Sequence, residues 1–337
     1  MTERTETSPT REEVRAARRA RRARKQARRE ARAMPVVEMK GERQTRVVDA
    51  ELLPPSPKGG MREVFQQWYL LKLIVRRQLA QQYSASLLGL MWSYVQPALR
   101  FVVYYFAIGL VLQMHKDVPN FALHLFAGMV FVHYFGETWN GGTRSIWANR
   151  ALVQKMRMPR EVFPVAAMVT AAYHTLPQML VLVVACAVLG WTPSWAVLGA
   201  LALGISLIVT FAMAMGLFFS AINVFARDFQ NIVATVMQFM HFLVPMIYPF
   251  ERIYSAHDSH RWLYEIYVAN PVAQGVMLMQ RVFWYPTVDE SERAALGQSF
   301  PPDQWVRGLI TLAISVVLLW LAQRYFSRVE NKFPERL

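Results

Sequence analysis

Long apolar blocks separated by short polar stretches dominate the chain from about residue 90 onward, and this pattern decides its class. A segment without water to satisfy its backbone must be helical, and about 20 apolar residues are needed to cross a hydrocarbon core. Blocks at 95–114, 121–140, 164–190, 195–223, 229–249 and 306–323 meet that description and predict six transmembrane helices. Pro97 falls in the first turn of the first block, where a missing N–H costs little. Pro177 predicts a kink in the third, and Pro245 and Pro249 disrupt the end of the fifth. The expected fold is an all-α polytopic membrane protein.

Two regions show a different rhythm. In 62–84, Val64, Trp68, Leu71, Val75 and Leu79 recur at helical spacing, with Arg62, Gln66, Arg76 and Arg77 on other faces. Leu70, Leu73 and Ile74 spoil the polar side, so an amphipathic interfacial helix that also packs on protein is expected. Between the fifth and sixth blocks, 261–268 and 272–284 are apolar but too short to span. They read as two short re-entrant helices or as a folded cap outside the bilayer.

Charge then orients the frame. The chain carries a formal +14 with 18 % charged residues against 54 % hydrophobic ones, so the excess is concentrated in the polar stretches. One side holds Arg62, Lys72, Arg76, Arg77, Arg144, Arg150, Lys155, Arg157, Arg160, Arg227, Arg324, Arg328, Lys332 and Arg336. The other holds Lys116 and a long loop in which acids outnumber Arg252, Arg261, Arg281 and Arg293. The positive-inside rule places both termini in the cytoplasm, in agreement with an even number of spans. No apolar signal-peptide core occurs in the first 60 residues, and the expected location is the plasma (inner) membrane. Residues 11–32 are an Arg/Ala-rich run, read as a solvated arm or as a contact with anionic lipid headgroups. No nucleic-acid-binding module accompanies the charge. The organisation is a basic tail over 1–60, an interfacial helix and connector over 61–94, a six-span domain over 95–326 and a short tail over 327–337.

Catalytic signatures are missing. No P-loop, HExxH, CxxC or GxSxG motif occurs, and the single cysteine, Cys186, excludes a disulfide within the chain. The seven histidines are scattered, and no metal site or cofactor is expected in this chain. Polar residues inside apolar blocks say more, because charge in hydrocarbon is expensive. Arg100 either snorkels to headgroups or meets a lipid phosphate, with Glu137 a candidate partner. Phe101, Tyr104 and Tyr105 share a helical face, suited to packing or to a sliding sugar.

Several motifs carry a resemblance. Residues 83–99 read YSASLLGLMWSYVQPAL, 149–164 read NRALVQKMRMPREVFP, and 226–232 read ARDFQNI. The fifth block ends in PMIYP, and 270–281 read NPVAQGVMLMQR. In this order, on a six-span frame, they resemble the membrane permease of ATP-binding-cassette polysaccharide exporters, the O-antigen, teichoic-acid and mycobacterial galactan type. The resemblance covers about residues 62–326. It implies a homodimer with two separate cytoplasmic ATPase subunits that bind ATP and magnesium, and a polyprenyl-pyrophosphate-linked polysaccharide as cargo. The interfacial helix would match the family's gate helix. Residues 149–160 would match its coupling helix, with Asn149, Val153, Lys155, Arg157, Pro159 and Arg160, assisted by Arg227 and Asp228. Residues 250–305 would match its outer gate, flanked by Tyr248 and Pro249 and including Asn270 and Pro271. Arg76, Arg77 and Arg100 are the candidates for the pyrophosphate, and Phe101, Tyr104 and Tyr105 for the glycan path. Lys155, Arg157 and Arg160 are expected to be exposed for docking. Rival readings are export of a drug or smaller lipid, and a multi-span enzyme acting on lipid-linked sugars.

Overall fold

The computed structural model describes residues 60–83, 89–191, 194–255, 260–296 and 298–337. The Arg-rich run at 11–32 and part of the first motif lie outside these residues. Among the described residues all regular structure is helical.

The N-terminal pair, α1 (Gly60–Gln66) and α2 (Trp68–Tyr83), leads through a short 3-10 turn into α3 (Trp92–Tyr104). A π-helical stretch, Tyr105–Val111, extends α3, and α4 (Met114–Asp117) ends that passage. Then come α5 (Phe121–Ala148), α6 (Arg150–Lys155), α7 (Val162–Val188), α8 (Trp195–Phe225) and α9 (Phe229–Met240). The region between α9 and the last long helix holds α10 (Glu251–Tyr254), α11 (Arg261–Val268), α12 (Pro271–Phe283) and α13 (Glu290–Ala295). The chain closes with α14 (Gln304–Val329) and α15 (Phe333–Arg336).

Four helical segments are long and apolar enough to cross a bilayer: Trp92–Val111, Val162–Val188, Trp195–Phe225 and Gln304–Arg336. They correspond to the first, third, fourth and sixth expected blocks. α7 stays helical through Pro177. The other two blocks differ from expectation in opposite ways. α5 runs eight residues beyond the expected end at 140, and its 28 residues reach about 42 Å. It also carries His133, Glu137, Asn140 and Arg144. The fifth block is helical only over the 12 residues of α9, about 18 Å, against a hydrocarbon core of about 30 Å. Beyond Met240 the chain turns, and carbonyls there are used elsewhere: Gln280 Nε2 donates to Pro245 O at 2.6 Å, and Asn270 Nδ2 to Leu243 O at 3.4 Å.

α8 is the hub, packed on α5, α12 and α14. Its crossing with α5 depends on two glycines. A Cβ on Gly142 would lie 2.8 Å from Gly216 Cα, and one on Gly216 would lie 3.2 Å from Thr138 O, so the two backbones touch. Small residues permit such approach where helices pack without help from water. α12 is wedged between α5, α8 and α14, with Val272–Gln280 and Val282–Phe283 buried. Asn270 caps it through Oδ1, which accepts from Val272 N at 3.0 Å, and Pro271 opens its first turn.

Two apolar clusters result. The larger joins α5, α8, α12 and the segment around 244–300. The smaller joins α1, α2, α6, the start of α7, the end of α8 and the C-terminal Phe326 and Phe333. α2 lies beside α7 and runs in the same direction over this stretch: Thr170 Oγ1 donates to Gln78 Oε1 at 3.0 Å, and Gln82 Oε1 sits 3.0 Å from His174 Nε2. The packed seam follows Leu71, Ile74 and Gln78, which leaves Trp68 exposed although the periodicity put it on the apolar stripe.

Candidate functional site

Two surfaces hold the residues singled out by the sequence. The first is a polar face of α5. On α5, His133, Glu137, Asn140 and Arg144 follow at spacings of four, three and four, so they share one side of the helix. Glu137 and Arg144 are exposed, His133 and Asn140 half-buried. Asn140 Nδ2 donates to Gly136 O at 3.0 Å, and Arg144 Nε reaches Asn140 O at 3.4 Å. Among the described residues Glu137 forms no ion pair, so the expected pairing with Arg100 is not made. Arg100, exposed on α3, acts electrostatically on His133 and His241.

The aromatic trio divides. Phe101 stacks on Tyr105 at 5.9 Å and meets Phe126 edge-on at 5.4 Å, while Tyr105 lies 6.2 Å from Phe121. These two rings pack α3 onto α5. Tyr104 turns to His241, at 6.1 Å, on the same side as Arg100's electrostatic partner. Arg76 and Arg77 are exposed on α2, away from its packed seam.

The second surface gathers the two short polar connections, 149–161 and 226–228. The Trp147 ring carries Arg227 at 3.5 Å and Arg150 at 5.1 Å, which ties the end of α5 to both. Asn223 Nδ2 donates to Thr143 O at 3.1 Å, and its Oδ1 accepts from Gln230 N at 3.2 Å. Asn149 and Val153 are buried and anchor α6, with Asn149 Nδ2 on Ser145 O at 2.8 Å. Lys155, Arg157, Arg227 and Asp228 are exposed, and Pro159 is buried.

Arg160 departs from expectation. It is 1 % exposed, donates to the Glu330 carbonyl and lies 5.9 Å from the Phe333 ring centroid. Its neighbour Glu161 is equally buried and accepts from Gln323 Nε2 at 2.8 Å. Burial lowers the Arg160 pKa, with Glu330 and Glu161 opposing it, and burial pushes the Glu161 carboxyl up. Glu161 Oε2 and Arg160 Nε find no hydrogen-bond partner among the described residues. Arg160 is therefore an internal tie between the start of α7 and the C-terminal tail, and only Lys155 and Arg157 of the expected basic trio face outward. The tail covers Arg160 from 170 residues away, so no local signal marked its burial.

At the far end, Tyr248 OH donates to Phe242 O at 2.9 Å and lies 3.1 Å from Tyr267 OH. Pro249 closes this turn, just before α10. Arg307 pairs with Glu265 at 2.8 Å, and Arg252 with Asp117 at 3.0 Å. These link α14 to α11 and α4 to α10. Among the described residues no cluster of three or more histidine, cysteine or carboxylate side chains is arranged for a metal.

Residues 69–284 match the model of the ABC-2 type transporter family, a match that covers most of the bundle just described. The chain belongs to the ABC-2 type transporter family. An O-antigen export system permease protein RfbA of Myxococcus xanthus is 30 % identical over 280 residues, 82 % of this chain and 98 % of that protein. Two proteins of the same description from Klebsiella pneumoniae are 29 % identical over 224 residues and 27 % identical over 272 residues. They are covered to 82 % and 95 % of their lengths, and cover 65 % and 80 % of this one. An ABC-2 permease is a multi-pass membrane subunit that works with a separate ATP-binding subunit. The exposed basic side chains around Trp147 and the polar face of α5 are thus features of a transporter's membrane part.

Proposed function

We propose that this chain is the permease subunit of an ABC exporter that moves a lipid-linked polysaccharide from the cytoplasmic to the outer face of the plasma membrane. The observation that carries this reading is near full-length similarity to O-antigen export permeases. It is supported by a polar face on a bilayer-length helix, where charge is expensive unless it lines a path. The cargo is an O-antigen-like glycan; teichoic acid and galactan share its chemistry, a polyol chain on a polyprenyl pyrophosphate. Two copies of the chain enclose the path, and two ATPase subunits drive it. α5 and the α9 segment complete six passes, both termini are cytoplasmic, and α11 and α12 form a re-entrant outer gate. Arg76, Arg77 and Arg100 meet the pyrophosphate, Tyr104 lines the glycan path, and the Arg-rich arm touches anionic lipid.

Force arrives by contact. Lys155 ends a short helix anchored by buried Asn149 and Val153, and Arg157 follows it in the connection, so a partner that pushes there moves the end of α5 through Trp147. The test is co-purification with the ATP-binding subunit, followed by hydrolysis with and without a purified lipid-linked polysaccharide. Stimulation that disappears in Lys155→Glu/Arg157→Glu supports the reading. Equal hydrolysis with and without the glycolipid rejects it.

A further inference from the structure

The bundle contains a small polar chamber where α2, α3, α5 and α7 meet. Its volume is about 290 Å³, and its walls include Gln82, Trp92, Gln96, His133, Glu137 and His174. The histidines are not scattered as they are in the sequence. His133 and Glu137 lie one turn apart on α5, and His174 comes in from α7 with Ser93 Oγ 2.9 Å from its Nδ1 and Gln82 Oε1 3.0 Å from its Nε2. A neutral imidazole protonated at Nε2 satisfies both contacts: it donates to the amide oxygen and accepts from the hydroxyl. Glu137 is near enough to act electrostatically on His174, yet among the described residues it has no hydrogen-bond or ion-pair partner. A carboxylate in this position on a bilayer-length helix is a costly feature whose common use is to hold a polar ligand.

The lining chemistry narrows the ligand. It offers carboxylate and amide oxygens as acceptors, imidazole, indole and amide N–H groups as donors, and the flat apolar faces of Trp92 and Pro97. No lysine or arginine lines it, so its walls offer no cation to a phosphate or pyrophosphate; Arg100, which acts electrostatically on His133, is not among them. A neutral polyol is matched twice, by paired donors and acceptors for its hydroxyls and by an aromatic face for its C–H surface. The volume sits at the lower end of ligand sites, roughly 300–1,000 Å³, and suits one ring.

We infer that this chamber binds a single sugar ring, with Glu137 and Gln96 on its hydroxyls and Trp92 on its apolar face. The inference deepens the proposed export of a glycan and rests on it for its biological meaning. Arg100 stands one helical turn beyond Gln96 on α3, so the chamber would grip the sugar while the cation deals with the phosphates.

The test uses the full chain with its ATPase subunit in lipid nanodiscs. Saturation-transfer NMR reads the binding of methyl glycosides of glucose, galactose, mannose and N-acetylglucosamine. At least one should bind, and Glu137→Ala and Trp92→Ala should each weaken it by about tenfold or more. Glu137→Gln, which keeps shape and hydrogen bonding, should retain most of the binding. Arg252→Ala, in the outer ion pair, should leave it unchanged. Sodium pyrophosphate should not displace the sugar. Octyl glycosides, used below their aggregation limit, assign the source: tighter binding than the methyl forms marks the sugar of a glycolipid, and equal binding marks a free sugar. Absence of binding for every glycoside, binding that survives both Glu137→Ala and Trp92→Ala, or displacement by pyrophosphate overturns the inference. Export by the unmodified complex, measured in parallel, separates the two ideas. Export without sugar binding removes the chamber alone, and sugar binding without polysaccharide export removes the cargo reading alone.

Discussion

Arg160→Met is the substitution that best tests the reading of the basic surface around α6. Methionine keeps much of the aliphatic stem and removes the charge and the donors, so the loss is electrostatic and not a cavity. In the native fold the guanidinium is 1 % exposed, donates to the Glu330 carbonyl and sits near the Phe333 ring, with Glu161 and Glu330 both buried beside it. Removing one member of a buried charge group strands the others, at a cost of about 3–5 kcal/mol. For a chain of this size that corresponds to a melting-temperature drop of roughly 4–7 degrees. Arg157, three residues away and exposed, should change stability by no more than about 0.5 kcal/mol when replaced by Met. The assay is thermal unfolding of the purified complex, with the double variant Arg160→Met/Glu161→Gln alongside. With the single variant Glu161→Gln as reference, neutralising the stranded acid should return about 1 kcal/mol more in the Arg160→Met background than in the parent, a clear departure from additivity. A loss below about 1 kcal/mol for Arg160→Met, or strict additivity in the double variant, would refute the internal tie.

Other outcomes follow from the same geometry. Burial lifts the Glu161 pKa above its ordinary 4.5, so the folded state holds that proton more tightly; its favourable contribution is complete below 4.5 and is lost as pH climbs through the folded value. The stability difference between Glu161→Gln and the parent should therefore move in favour of the glutamine variant as pH rises above about 5, and parallel melting curves would contradict this. Gly142→Ala places a methyl 2.8 Å from Gly216 Cα and should cost about 1–3 kcal/mol; an unchanged melting temperature would mean the α5–α8 crossing is looser than described. Tyr104→Ala should slow glycan export without lowering the amount of folded complex, whereas Phe101→Ala, which removes packing against Phe126, should lower the amount of complex itself. Equal behaviour of the two would erase the division of the aromatic trio.

Where hydrophobic runs were long and uncharged, the sequence predicted helices to within a few residues, as for α7 and α8. Transfer free energy leaves such runs few alternatives. The fifth block is helical over less of its length than its apolar run, because composition counts apolar residues and not the direction of the chain. Residues 241–249 are apolar, but Pro245 and Leu243 turn their carbonyls to side chains of α12 and Asn270, and the helix stops at Met240. Lys155, Arg157 and Arg160 look alike in a row; only the distant tail distinguishes the third. The chamber was half visible. His133 and Glu137 sit at helical spacing in plain view, but Gln82, Ser93 and His174 arrive from three other segments, and nothing local announces that they converge.

The central claim, that this chain is a conduit powered by a foreign ATPase, is tested most directly in proteoliposomes containing the chain and its ATPase subunit, with a fluorescent lipid-linked polysaccharide on the ATP-accessible face. The account predicts that glycan becomes accessible to a lectin in the opposite compartment only when both subunits and hydrolysable ATP are present. Movement of glycan by this chain alone, or no movement by the complete complex with ATP, would contradict it.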